Sequence, residues 1–396
     1  MNFTVLSFIS AQMHNLSPLF TNIPPIHIQS CCFSLHFSTI LYSNYIKPNY
    51  LIEFSSFSSI LNTAITINSE SIEEKVYKKT LVEKGDKDRL EVRRCLFYKC
   101  VSKKEGGGIR VGGSTSDIFF ILASTGFYQC KALSGDAFYS QTKESVISNI
   151  CIKKCEKNAF IAKSKTIVNI LQASITNSKL DTKIDSNRIE ISRINLSSNT
   201  NSFNIASTFE NSIISNSNFG ENTGSSFIVF DSSASRQSTI TSCNFINNKY
   251  SYLVSFMTSS LTFDRCSFID DKTSRYVKED SSFIMNNCVY SEAQNEVNAK
   301  SMPKGLLNNP FFSSRSTIMN DIGSTYECWN KMPAGNSDNS HNYNNSSSSK
   351  VGKVIGIIII VGGIVALIVF FAVRYGKNYC KLSRRGDQTP LFYTGL

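Results

Sequence analysis

The chain is short of most residues that specialised scaffolds and sites rely on. It has one tryptophan, eight prolines and twenty glycines in 396 residues, too few of the last two for a collagen-like or low-complexity polymer. Charged residues make up 18%, below the usual quarter, yet 41% of the chain is hydrophobic, which excludes a disordered polar chain. The four histidines, His14, His27, His36 and His341, fall outside the regular repeat described below, so no His-based nucleophile or general base is expected within it. The twelve cysteines also lack metal-ligand spacing. Cys31-Cys32 and Cys151-x3-Cys155 lack the histidine or second cysteine pair that would make a zinc site, and no zinc or other cofactor is expected. Gly106-Gly107-Gly108 is followed by neither a helix nor Lys-Ser/Thr, so it is not a phosphate loop.

One long uncharged run is present. Residues 354–373 read VIGIIIIVGGIVALIVFFAV, twenty residues that at about 1.5 Å each match a hydrocarbon core of about 30 Å. A single C-terminal transmembrane α-helix is expected, with the lipid bilayer as partner. Arg374, Lys377, Lys381, Arg384 and Arg385 follow it against Asp387 alone, so positive-inside bias places 374–396 in the cytoplasm and 1 to about 350 outside the plasma membrane. The formal charge of +11 then divides into +6 for residues 350–396 and +5 for the rest, and nucleic-acid binding loses its motivation. Residues 1–25 offer a weak signal peptide or N-terminal segment, with only Phe3 to Ile9 apolar and no basic start. Asn2, Asn15, Asn195, Asn344 and Asn345 head N-x-S/T sequons; Asn195, Asn344 and Asn345 are the glycosylation candidates. In the tail, Tyr379-x-x-Leu382 and Tyr393-x-x-Leu396 have the form of sorting signals that meet cytoplasmic sorting machinery, and Cys380 is a candidate for S-acylation.

The segment between is repetitive. With Phe97, Phe127, Ile152, Ile175, Leu196, Phe219, Phe245, Phe268 and Tyr290 as anchors, the residues five before are Val92, Leu122, Ile147, Ile170, Ile191, Ile214, Ile240, Phe263 and Met285, all apolar. Two before the anchors stand small or apolar residues, among them Cys95, Cys243, Cys266 and Cys288. Three after stand Cys100, Cys130, Cys155, Ser178, Asn199, Asn222, Asn248 and Asp271, a column that ends at Ala293. A period of 21 to 30 residues carrying β-branched and aromatic residues at alternating positions predicts a strand-built solenoid. Further strands are expected at 107–111, 137–140, 159–162, 202–206, 226–230 and 252–256. The fold class is therefore all-β, a right-handed parallel β-helix of the pectate-lyase type. Its units would stack at about 4.8 Å and bury a continuous core.

About nine coils are expected over 92–293, preceded by an N-terminal cap or irregular first coils over 26–91. In that earlier segment Ile28, Cys31, Phe33 and His36, and then Ile60, Thr63, Ile65 and Asn68, fit the columns loosely. A C-terminal cap over 294–329 and a flexible Ser/Asn-rich stalk over 330–353 would lead to the membrane. Asn199, Asn222 and Asn248 are placed at a turn, where Asn tolerates left-handed backbone and its amide can bond the next coil. Stacked cysteines are close enough for disulfides, although small buried hydrophobes fit the same columns.

Phe219-Gly-Glu-Asn222 and Phe245-Ile-Asn-Asn248, together with Gly107-Gly108-Ile109, resemble the F-x-x-N and G-G-A-I tetrads of the polymorphic membrane proteins of chlamydiae and of similar trichomonad surface proteins. The resemblance covers roughly 92–293. It departs from the bacterial pattern in replacing an outer-membrane barrel by one helix. It implies an adhesin or molecule of host-cell contact with a cell-surface or glycan ligand, and no binding residues carry over. Two other readings remain. One is a membrane-tethered polysaccharide lyase or hydrolase using Asp231, Asp264, Asp270 and Asp271, with Asp270 and Asp271 read first as turn residues. The other is a passive coat or spacer. Non-enzymatic function is the leading expectation.

Overall fold

The computed structural model describes residues 4–7, 10–12, 18–21, 26–44, 49–68, 88–113, 117–207, 211–230, 237–256, 260–278, 282–301 and 305–312, with backbone alone described before residue 18. All of these lie in one compact unit, Met1–Pro333. They form a parallel β-solenoid of about 11 turns. Every strand pairing in it is parallel and joins one coil to the next, as in Arg89–Arg93 between Asn49–Glu53 and Phe119–Ala123.

One coil shows how the local sequence makes the path. Arg89–Arg93 forms the long face, Arg94 turns the chain with φ 52°, and Cys95 points inward. Leu96–Tyr98 then forms the short face, Lys99 turns the chain again with φ 52°, and Ile109–Gly112 forms the third face. Left-handed backbone costs an L-residue about 1–2 kcal/mol. Here both turning amides stay in the ladder, Arg94 N donating to the Ala123 carbonyl and Lys99 N to the Tyr128 carbonyl, each at 2.9 Å.

At the first corner two residues separate the long and short strands throughout the described coils, as at Arg93/Leu96, Thr241/Asn244 and Asn308/Phe311. The step from the third face to the next long strand is elastic. It spans 2 positions between Ser186 and Arg188, 5 between Ser207 and Ser212 and 22 between Ile67 and Arg89.

The inward columns account for the repeat. The anchors are fully or almost fully buried, and their rings form a ladder. Phe33, Phe57, Phe97 and Phe127 have successive centroids 5.3, 4.8 and 4.9 Å apart. After the aliphatic stretch Ile152, Ile175 and Leu196 the ladder resumes, with Phe219, Phe245, Phe268 and Tyr290 at 5.1, 5.1 and 5.3 Å. These separations fall within the range in which aromatic pairs add about 0.5–1.5 kcal/mol beyond burial. The third face contributes Ile109, Phe138 and Phe160.

Glycine is required where this face begins. Gly106 has φ 68°, and a Cβ on Gly107 would come within 2.3 Å of the Asp136 carbonyl oxygen of the next coil. In that next coil Gly135, with φ 65°, takes the same place relative to Phe138.

Several expectations change. Ile28, Cys31, Phe33 and His36 do form a coil, but the following coil is Ile52, Ser55, Phe57 and Ile60, since Phe57 pairs with both Phe33 and Phe97. Ile65 belongs to the third face, opposite Ile109. His27 and His36 therefore sit within coils, His27 Nε2 lying 2.8 Å from Glu53 Oε1. Backbone strands Thr4–Ser7 and Ser10–Gln12 extend the same pairing toward the N-terminus. At the other end the pattern does not stop at 293. Met285 pairs with Leu307 and Tyr290 with Phe312, while helix Gln294–Ser301 replaces the third-face strand. The left-handed residues are Ser198, Glu221 and Asn247, each one position before the asparagine column. Residues 313–396 lie outside the described residues, and with them the expected stalk, span 354–373, Cys380, Tyr379, Leu382, Tyr393 and Leu396, along with Asn344 and Asn345. No helix among the described residues is long and apolar enough to cross a membrane.

Candidate functional site

The described carboxylates among those proposed for catalysis occupy different parts of the coil. Asp231 lies outside the described residues. Asp264 faces outward at the end of a long-face strand, 3.0 Å from Arg265 Nε. Asp270 is the exposed left-handed residue at the second corner, with its N–H donating to Ser291 Oγ at 2.8 Å. Asp271 is 2% exposed and turned inward, accepting the Thr273 N–H at 2.9 Å. Burial holds its carboxyl above the ordinary value despite that bond. The three described carboxylates thus stand outward, at a corner and inward, whereas a glycosidase pair flanks the scissile bond at about 5–9.5 Å. Among the described residues no group of His, Cys, Asp and Glu could hold a metal ion.

The polar column is structural. Ser178, Asn199 and Asn222 each donate a backbone N–H to the side-chain oxygen of Asn199, Asn222 and Asn248, at 2.9, 3.0 and 3.1 Å. Each of the three amides returns its NH2 to a carbonyl: Asn199 to Ile175, Asn222 to Leu196 and Asn248 to Phe219, at 2.7, 2.9 and 2.8 Å. All three asparagines are at most 1% exposed. Two thiol ladders, Cys100, Cys130 and Cys155 and then Cys243, Cys266 and Cys288, are likewise buried, and all six are free. Burial pushes the thiols of Cys100, Cys155 and Cys266 up, and that of Cys95 to about 12. They behave as small apolar residues.

What remains is outward-facing. On the third face a depression of about 220 Å³ is lined by Gln141, Thr142, Lys163, Lys165 and Asp185. A second, of about 280 Å³, is lined by Lys183, Asn204, Val229, Phe230 and Ser255. Both fall below the range of roughly 300–1,000 Å³ typical of small-molecule pockets.

The second corner of the coils covering 96–158 is different. Tyr98 and Tyr128 are cross-coil neighbours with ring centroids 5.5 Å apart and planes 9° from parallel. Lys99 Nζ lies 5.0 Å from the Tyr98 ring and Lys154 Nζ 5.6 Å from that of Tyr128. Lys153 follows Tyr128 in register, and Lys103, Lys104, Lys131 and Lys157 stand exposed on the adjoining turns. Below them Asp136 is buried and holds the turn, accepting the Ala132 and Lys157 N–H groups at 2.7 Å each. Sequence reasoning missed this edge because it used net charge over the whole segment; aligning the residues just after each anchor gathers the lysines. Asn195, the one described sequon candidate, opens a short-face strand with its side chain half-buried. Comparison with protein families, with curated proteins and with solved structures finds no match to the chain.

Proposed function

We propose that the chain is a single-pass surface protein whose parallel β-solenoid, taken as right-handed by the crossover rule, presents its lateral faces for adhesion or cell contact. The observation that carries the reading is the division of polar residues between inside and outside. The interior asparagine amides are taken up by the coil-to-coil ladder, the described carboxylates do not converge, and Tyr98 and Tyr128 stack in register on the outside. Such a surface suits an extended partner better than a small substrate. The apolar run 354–373, followed by five cations, would anchor it with 374–396 in the cytoplasm.

The test is display of the full chain on non-adherent cells, followed by binding to a panel of cell types. Binding above that of an unrelated β-solenoid on the same anchor supports contact; none above that control leaves a passive coat. Protease added outside should leave the tail intact and remove the ectodomain, and the reverse pattern would overturn the orientation.

A further inference from the structure

We propose that the lysine edge at the second corner of residues 96–158 binds an acidic, sulfated glycan running along the solenoid axis. This rests on the cell-contact reading and names its ligand class. The charge is local. Along the left-handed column of this corner the residues run Leu35, Ser59, Lys99, Gln129, Lys154, Asn177, Ser198, Glu221, Asn247 and Asp270, with both cations in the first half and both anions in the second. Two of the nearby acids are engaged with neighbouring cations: Glu156 lies 2.8 Å from Lys131, and Glu105 3.1 Å from Arg110. Lys103, Lys104 and Lys157 remain exposed.

Coils stack at about 4.8 Å, within the Debye length of about 8 Å at physiological salt. Lys99 and Lys154 stand two coils apart with Gln129 between them, about 10 Å by that spacing, so their ammonium groups repel one another weakly in the free protein. Both are drawn over Tyr98 and Tyr128, an arrangement that offsets part of the repulsion. A linear polyanion along the axis would remove the remainder, meeting one cation on nearly every rung.

The chemistry favours sugar over other polyanions. The Tyr98 and Tyr128 rings face each other and their lysines, so they offer no open face of the kind single-stranded nucleic acids stack upon. Exposed apolar groups on the adjoining turns are Val101 and Leu133, short of the continuous apolar face by which helices enter a membrane surface. On the next coil Thr176 and Asn177 supply a hydroxyl and an amide suited to sugar hydroxyls.

The test uses cells displaying the full chain and fluorescent heparin, with desulfated, N-acetylated heparin, which keeps only its carboxylates, as the sulfate-free counterpart. The variant K99N/K103S/K104S/K154N removes four charges. Asn tolerates the left-handed backbone at 99 and 154, so the fold is preserved. Wild type should bind heparin with affinity falling as salt rises. The variant should bind at least tenfold more weakly, with a log–log salt slope reduced by about 0.7 per lysine removed. An unaltered variant, or equal capture of the desulfated polymer, overturns the proposal. Duplex DNA or phosphatidylserine vesicles held as tightly as heparin overturn the glycan assignment. A wild-type chain that binds cells without binding heparin overturns the inference and leaves the contact reading standing; one that binds neither overturns both.

Discussion

Asn222 offers the sharpest test of the coil-to-coil ladder. Its side chain is 0% exposed, its Oδ1 accepts the Asn199 N–H at 3.0 Å, and its Nδ2 donates to the Leu196 carbonyl at 2.9 Å. Asn222→Ala strands one buried donor and one buried acceptor, each costing about 1–3 kcal/mol, so a loss of about 3–4 kcal/mol is expected. At about 2–4 °C per kcal/mol for a domain of this size, Tm should fall by about 10 °C, read by circular dichroism on the full chain in detergent. Exposed Thr200→Ala is the control and should stay within about 0.5 kcal/mol. Asn222→Asp keeps the acceptor and replaces the donor. A carboxyl buried there has a folded pKa above its unfolded value, so the folded state holds the proton more tightly. The variant should therefore be poor at pH 7 and recover toward pH 4, where the protonated carboxyl can donate to Leu196. A loss below 1 kcal/mol for the alanine variant, or no pH recovery for the aspartate, would refute the ladder as a source of stability.

Phe97→Ala removes the ring held 4.8 Å from Phe57 and 4.9 Å from Phe127 and should cost about 3–5 kcal/mol in the same melt, while Phe97→Leu should keep most of it. Asp271→Asn should raise stability at pH 7. Its Oδ2 is buried without a hydrogen bond and its pKa is raised by burial, so the stability tied to the protonated form is present below the unfolded value near 3.8 and lost as pH rises through the folded one. The gain should thus shrink toward pH 3.5 in a Tm series, and a gain independent of pH would contradict it. In native protein a thiol reagent should label exposed Cys32 and spare Cys100, Cys130, Cys243, Cys266 and Cys288, which are 0% exposed. Labelling of those five before unfolding, followed by peptide mapping, would show that the ladders open.

The solenoid was legible because its inward columns are monotonous: Val92, Leu122 and Ile147 can be aligned without knowing anything else. The register failed at Ile60 and Ile65, where two aliphatic residues happened to copy the column spacing while the true anchor, Phe57, lay between small polar neighbours. Asp136 was illegible for a different reason. Its role is to receive backbone N–H groups from Ala132 and Lys157, a geometry that leaves no trace in spacing. The asparagine column was read correctly as bonding between coils and wrongly as left-handed, since the conformational preference of Asn says nothing about which of two adjacent residues makes the bend.

The unequal corners have an evolutionary consequence. Two intervening residues at the first corner admit no insertion without breaking two faces at once, whereas the step after the third face already ranges from 2 to 22 positions. Length change is thus channelled to one edge of the cylinder. Segments there can change in length while the lysine track on a different edge keeps its rung-by-rung spacing. An epitope inserted between Ile67 and Arg89 should be carried without loss of the fold, and one inserted between Arg93 and Leu96 should not.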